Sequence, residues 1–282
     1  MPLHESVSQR QLVPAPLPLS VPVADAHTHL DACGCRTTED VSAAMARARA
    51  VGVTKVVTVA DDLESARWAV RAAGWHPDLY AAVALHPTRA DQLDESVKAE
   101  LEQLAVDPRV VAIGETGLDH YWEAAPHRAQ AEAFAWHIDL AKRTGKALMI
   151  HDRNAHQAVF DVLEAEGAPD RVIFHCFSGD AAMAKRCAEA GYVMSFAGPV
   201  SFRNAAELVA AAVVAPADLL LVETDAPFLT PHPHRGKRNE PFALPYTLRA
   251  LAGVRDENLE SLSQEVNRTT TRMYGIVTDR PV

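Results

Sequence analysis

The chain has 282 residues, 48% of them hydrophobic, and a formal net charge of -10. That length holds one large α/β domain or two small ones, and the acidic balance excludes a general, charge-driven coat on nucleic acid. No apolar run approaches the roughly 20 residues that span a bilayer, so no membrane partner is expected; four cysteines are too few for a disulfide scaffold and suit a reducing cytoplasm.

Residues 1–22 lack the basic-then-apolar order of a signal peptide, and prolines at 14, 16, 18 and 22 interrupt them. They read as a flexible N-terminal extension, polyproline-like toward its end, ahead of one domain over 23–282. From there, short β-branched runs alternate with Ala-rich amphipathic segments. Strands are predicted over 23–27, 55–60, 80–86, 110–115, 147–151, 171–175, 191–196 and 219–225. Helix-length stretches such as TTEDVSAAMARARA and APHRAQAEAFAWHIDLAKRT separate them. Gly52, Gly74, Gly145, Gly167 and Gly191 fall where helices take C-terminal caps. Eight strands in strict alternation with helices predict a single-domain (β/α)8 TIM barrel. An open doubly wound sheet is the alternative, and would gather ligands at one switch point rather than around a ring.

Polar residues mark the strand ends. His27 and His29 close the first run and, two apart on a strand, share a face. Glu115, His151, His175 and Asp225 close the fourth, fifth, sixth and eighth. In a barrel these ends meet at the C-terminal mouth. One such residue is ordinarily a hydrogen-bonded structural group. Six at one rim would bury uncompensated charge at a cost of several kcal/mol, a conflict that a bound cation removes. Cys33 and Cys35 form a possible thiolate pair, but no second pair lies at metal-site spacing and they read as ordinary loop thiols.

The segments DAHTHLD, ALHP, GETGLD, IHDR, HCFSG, ETDAP and RGKRNEP resemble, in order, the motifs of the TatD-like metal-dependent hydrolases. These are amidohydrolase-type barrel enzymes that include the TatD deoxyribonucleases. The resemblance runs from about residue 23 to the C-terminus. It implies two divalent cations per subunit, one held by His27, His29 and Asp225 and the other by His151 and His175. Glu115 would bridge them, in place of the carboxylated lysine of several related hydrolases. Thr116 and Ala84 stand where the family pattern has an aliphatic residue and a glycine; neither is an expected ligand. Four imidazoles and two carboxylates favour Zn²⁺ or Mn²⁺ over Mg²⁺, whereas family nucleases are regarded as magnesium-supported, so the ion stays open.

The chemistry implied is hydrolysis by a metal-activated water, with Asp225 accepting its proton and Glu115 at the reacting centre. Glu223, read as pointing the other way along its strand, supports a ligand from behind or packs inside the barrel. His86 and Arg153 are candidate phosphate contacts. Asn154 and His156 open the next helix, and Ser178 and Gly179 offer anion-binding groups near a helix start. No nucleophile-elbow pattern is present. Arg235, Lys237 and Arg238 form a basic loop after the last strand, read as phosphate-binding. Aromatics are not interleaved with basic residues, which gives no support to an extended stacking platform.

The leading expectation is a deoxyribonuclease acting 3'-5' on single-stranded DNA, with the nucleic acid bound transiently. A metal-dependent ester or amide hydrolase, such as a D-aminoacyl-tRNA deacylase, is the alternative. A non-catalytic metal-dependent binding module is the third. The oligomeric state is open, a monomer being sufficient.

Overall fold

Eight runs of Val, Ile, Leu, Ala and Met are buried almost throughout, the pattern of parallel strands covered on both faces. They are β1 (Val23–Thr28), β2 (Val53–Val59), β3 (Leu79–Val83), β4 (Val110–Asp119), β5 (Ala147–Arg153), β6 (Val172–Phe174), β7 (Val193–Phe196) and β8 (Leu220–Val222). The computed structural model describes residues 11–122 and 124–277. The strands form one parallel sheet in the order β1 to β8, curled into a nearly closed TIM barrel.

Helices on the outside connect them: α1 (Thr38–Ala50), α2 (Leu63–Ala73), α3 (Glu95–Ala105), α4 (His127–Thr144), α5 (His156–Glu166), α6 (Ala181–Glu189), α7 (Ala206–Val214), α8 (Leu244–Arg255) and α9 (Leu259–Tyr274). Their starts are chemically marked. Thr37 with Asp40, and Asp62 with Ser65, form capping boxes on α1 and α2, each satisfying two otherwise orphaned N–H groups. Gly145 ends α4 in the left-handed conformation at φ 63°, whereas Gly74 ends α2 still right-handed at φ -73°. No helix among the described residues is long and apolar enough to cross a membrane.

The barrel has a seam. β8 and β1 share no regular ladder, only one isolated bridge between Thr28 and Ala226. Asp225 N–H donates to the His27 carbonyl at 2.9 Å, and His29 N–H to the Ala226 carbonyl at 2.7 Å. Below them the buried carboxylate of Asp25 accepts from Thr224 N at 2.9 Å and Thr224 Oγ1 at 2.5 Å. Burial holds the Asp25 pKa well above the usual carboxylate range, although both Thr224 hydrogen bonds oppose this.

Three strand ends depart from expectation by three residues or more, β8 among them, which ends at Val222 rather than 225. β3 stops at Val83, because His86 and Pro87 begin a 3₁₀ turn there, and β4 runs on past Glu115 to Asp119. Of the extension expected over 1–22, residues 11–22 lie against the barrel, and residues 1–10 are outside the described residues. Val13 and Leu19 are buried. Proline removes N–H donors but leaves carbonyls exposed to partners. The Pro14 carbonyl accepts from Tyr246 at 3.1 Å, that of Leu17 from Arg249 at 2.8 Å and that of Pro22 from Asn267 at 2.5 Å.

Candidate metal centre

The six strand-end residues converge at the mouth. Glu115 is buried, and its two oxygens face different neighbours. Oε2 lies 2.8 Å from His175 Nε2 and 3.1 Å from His151 Nδ1. Oε1 lies 3.5 Å from His29 Nε2 and 3.8 Å from His27 Nε2. Asp225 Oδ1 completes the second side, 3.4 Å from His29 Nε2 and 3.5 Å from His27 Nε2. Two groups result, His27–His29–Asp225 and Glu115–His151–His175, each with its ligand atoms within 4.8 Å of one another.

Three of the four imidazoles have a hydrogen-bond acceptor on the side away from the centre. His29 Nδ1 donates to the Val59 carbonyl at 3.1 Å, His151 Nε2 to Asp119 at 2.9 Å and His175 Nδ1 to Glu223 at 3.0 Å. His27 Nδ1 faces the Met149 sulfur at 3.1 Å. A ring proton used outward leaves a bare lone pair on the nitrogen facing the centre, the state a metal ligand needs. His27 Nε2 and His29 Nε2 then stand 3.1 Å apart. Two lone pairs at that distance repel unless a cation or a proton lies between them. Burial works against a charge on His175, but the Glu115 and Glu223 carboxylates outweigh it and lift its pKa well above the ordinary value. Burial likewise opposes ionisation of Glu115, and the neighbouring histidines, His175 foremost, outweigh that and hold its pKa well below the usual range. Four imidazole nitrogens, which a cation would relieve of any proton facing the centre, and two carboxylates fit divalent cations of the Zn²⁺ or Mn²⁺ type.

A cleft of about 950 Å³ opens above the centre. His86 lines it with a different polarity. Its Nδ1 accepts from Thr88 N–H at 3.1 Å, so its proton sits on Nε2, which lies 3.2 Å from His151 Nδ1. Burial and the neighbouring His151 push its pKa down to about 3, so the ring is neutral and presents an N–H donor. Arg153 also lines the cleft, its guanidinium 3.9 Å over the Tyr121 ring. Ser178 reaches the Asp152 carbonyl at 3.3 Å, and His156 opens α5, bonded to Asp152 at 2.8 Å.

The basic loop is placed differently from the expectation. Arg235, Lys237 and Arg238 do not line the cleft. Arg235 stacks 4.3 Å over Phe202. Arg238 pairs with the buried Glu240 at 2.6 Å and joins Leu12 in a β-bridge, because Glu240 pulls the base of the loop back onto the barrel. Cys33 and Cys35 are buried and belong to no candidate metal group among the described residues; burial pushes both thiols up, Cys35 to about 12.

Several residues escaped the sequence reading. Asp119 lies four residues beyond Glu115 on the extension of β4, where the alternation of faces already pointed to it. Asp61, just past β2, forms a further candidate group with His29 and Glu115. Glu223 lies 3.0 Å from Nδ1 of the candidate ligand His175. Its expected direction did not follow from alternation, which puts residues two apart on one face; the two carboxylates separate here because β8 ends at Val222 and Asp225 takes φ 50°. Tyr121 and Trp122 carried no sequence signal beyond adjacency.

The family model for TatD-related DNases matches residues 24–275. The chain is 60% identical over 247 residues to a Mycobacterium tuberculosis protein named an uncharacterized metal-dependent hydrolase TatD, covering 86% of this chain and 93% of that one. It is 32% identical over 246 residues to a Pantoea ananatis protein named a 3'-5' ssDNA/RNA exonuclease TatD, covering 84% and 94%. Its fold is similar to that of YJJV, a TatD homologue of Escherichia coli K12, with a TM-score of 0.83 and 27% identity over 90% of this chain and 98% of that one.

Proposed function

Because the chain belongs to the TatD-related DNase family of metal-dependent hydrolases, we propose that it cuts phosphodiester bonds of single-stranded nucleic acid, DNA foremost, from the 3' end. The observation that carries this reading is Glu115, whose Oε1 faces His27 and His29 while Oε2 faces His151 and His175. One carboxylate between two ligand groups suits a pair of divalent cations, with Asp225 completing the His27–His29 side. When bound, such ions lower the pKa of water and neutralise charge that develops on a phosphoryl oxygen.

The chain's own groups supply the rest. Asp225 accepts the proton that the attacking water loses. The His86 Nε2–H donates to a non-bridging phosphate oxygen, and the Arg153 guanidinium pairs with the same anion. Asp119 and Glu223 hold His151 and His175 in the ligating tautomer. Arg235 and Lys237, on the loop after Asp225, serve phosphates farther along the strand. The relative named a 3'-5' ssDNA/RNA exonuclease supports the substrate class, and four free thiols support a reducing, cytoplasmic setting.

The test is cleavage of end-labelled single-stranded DNA, duplex DNA, RNA and an aminoacyl-tRNA ester by protein loaded with Zn²⁺, Mn²⁺ or Mg²⁺, with a chelator control. Chelator-sensitive shortening of the single strand from its 3' end is expected. Ester cleavage with no phosphodiester cleavage would replace the nuclease with a deacylase.

A further inference from the structure

The turn after β4 leaves two large aromatic side chains half in solvent, Tyr121 53% exposed and Trp122 51%. They are grouped rather than scattered. Their rings meet edge-on, with centroids 5.0 Å apart at 88°. The Arg153 guanidinium lies 3.9 Å from the Tyr121 centroid and 5.6 Å from that of Trp122. Trp122 and Arg153 both line the cleft above the candidate metal centre.

The group is held in register with that centre. Asp119 Oδ1 accepts from Tyr121 N at 2.9 Å and Trp122 N at 2.8 Å, while its Oδ2 accepts from His151 Nε2 at 2.9 Å. One buried carboxylate thus orients a candidate ligand and fixes the backbone that carries both rings. Half-exposed rings contribute little to the core, and apolar surface beside a polar cleft marks a place where a ligand lands.

We propose that Trp122 and Tyr121, with Arg153, form a stacking subsite for the nucleobase next to the scissile phosphate. A flat ring face accepts any base, and a guanidinium pinned on the neighbouring ring stays aimed at the backbone phosphate. The subsite selects unpaired strands, since a base inside a duplex has both faces covered and must first be pulled from the stack. This deepens the nuclease reading and rests on it.

The experiment compares oligothymidylate with an abasic oligonucleotide of equal length on the metal-loaded full chain and its Trp122→Ala and Trp122→Phe variants. In the unmodified protein, kcat/KM is expected to favour the base-bearing strand on the order of 10-fold, chiefly through KM. Trp122→Ala should collapse that ratio toward one, and Trp122→Phe should restore part of it. Oligothymidylate should also quench tryptophan emission in the unmodified protein, with the quenched fraction lost in Trp122→Phe. If the protein cuts both strands equally well, or the ratio does not move in Trp122→Ala, the subsite is wrong while the nuclease stands. If it cuts neither strand, the nuclease reading fails, and emission decides the subsite: quenching supports base binding, and its absence overturns it. A change of oligomeric state in Trp122→Ala would show that the rings meet a second copy of the chain, which also overturns the proposal.

Discussion

Glu223 Oε1 accepts a hydrogen bond from His175 Nδ1 at 3.0 Å, and the opposite nitrogen, Nε2, lies 2.8 Å from Glu115. The same oxygen accepts from Cys176 N–H at 2.8 Å, so the carboxylate is held from two sides. Such supports set ligand orientation and basicity, and losing one typically lowers metal affinity by about 10–100-fold. Glu223→Gln should show a drop of that size in a competition titration against a chelator, with little change in fold by circular dichroism. Unaltered affinity would mean that an acceptor oxygen, which the amide keeps, orients His175 without any help from the negative charge.

Glu115 and Asp225 should separate under mutation. Glu115→Gln removes the charge that faces both groups of imidazoles, and metal content by elemental analysis should fall at both. Asp225→Asn keeps a ligating oxygen but is a far poorer proton acceptor, so rate should fall by about 10²–10⁴ while most metal is retained. Equal loss of metal and rate would reduce Asp225 to a ligand only.

His86 offers a test of polarity. A proton on Nε2 would make it a donor to the proposed phosphate, whereas a bare Nε2 would let it join the candidate metal group it forms with Asp119 and His151. His86→Ala should leave metal content intact and lower kcat/KM on a phosphodiester by about 10–100-fold, the worth of one hydrogen bond to a charged group. Metal loss in this variant would instead make His86 a ligand.

Away from the centre, His137 should give the fold a pH dependence. It is buried, accepts from Leu85 N–H at 3.2 Å and donates to the Ala133 carbonyl at 2.7 Å, both satisfied only by the neutral ring. Burial lowers its pKa from the ordinary 6.5 to about 4. Between those values the unfolded chain binds the proton and the folded chain does not. Its contribution is therefore complete above pH 6.5 and lost as pH falls through 4, about 3 kcal/mol over the window. Urea unfolding in chelator should show a shallower slope in this range for His137→Gln. Parallel slopes would mean that the imidazole titrates in the fold as it does in the open chain.

The barrel and its six strand-end ligand candidates were legible because both depend on short-range regularities. Alternating apolar runs give the strands, and a polar residue closing such a run lands at the mouth. Residues that work through another residue were harder to see. Asp119 could have been found by extending β4 two steps of alternation, but Met149 behind His27 is one apolar strand residue among many until the barrel closes. The destination of Arg238 depends on Glu240 and Leu12, the latter in a proline-rich stretch with no strand signal of its own. Tyr121 and Trp122 acquire their partner, Arg153, only through the β4–β5 pairing that sets Asp119 beside Arg153.

The seam between β8 and β1 gives the metal centre a second consequence. Thr28 and Ala226, which bridge there, are 198 residues apart in sequence, so the first strand and the last must both be home before His27 and His29 can meet Asp225. A cation held on that side would act as a buckle across the join that has a single bridge and no regular ladder, fastened only once the whole circle is made. Its affinity is thereby tied to completion of the fold. Stripping the ion should unfasten the two ends of the chain first. Faster amide exchange at His29 and Asp225 than in β4 or β5 would record it.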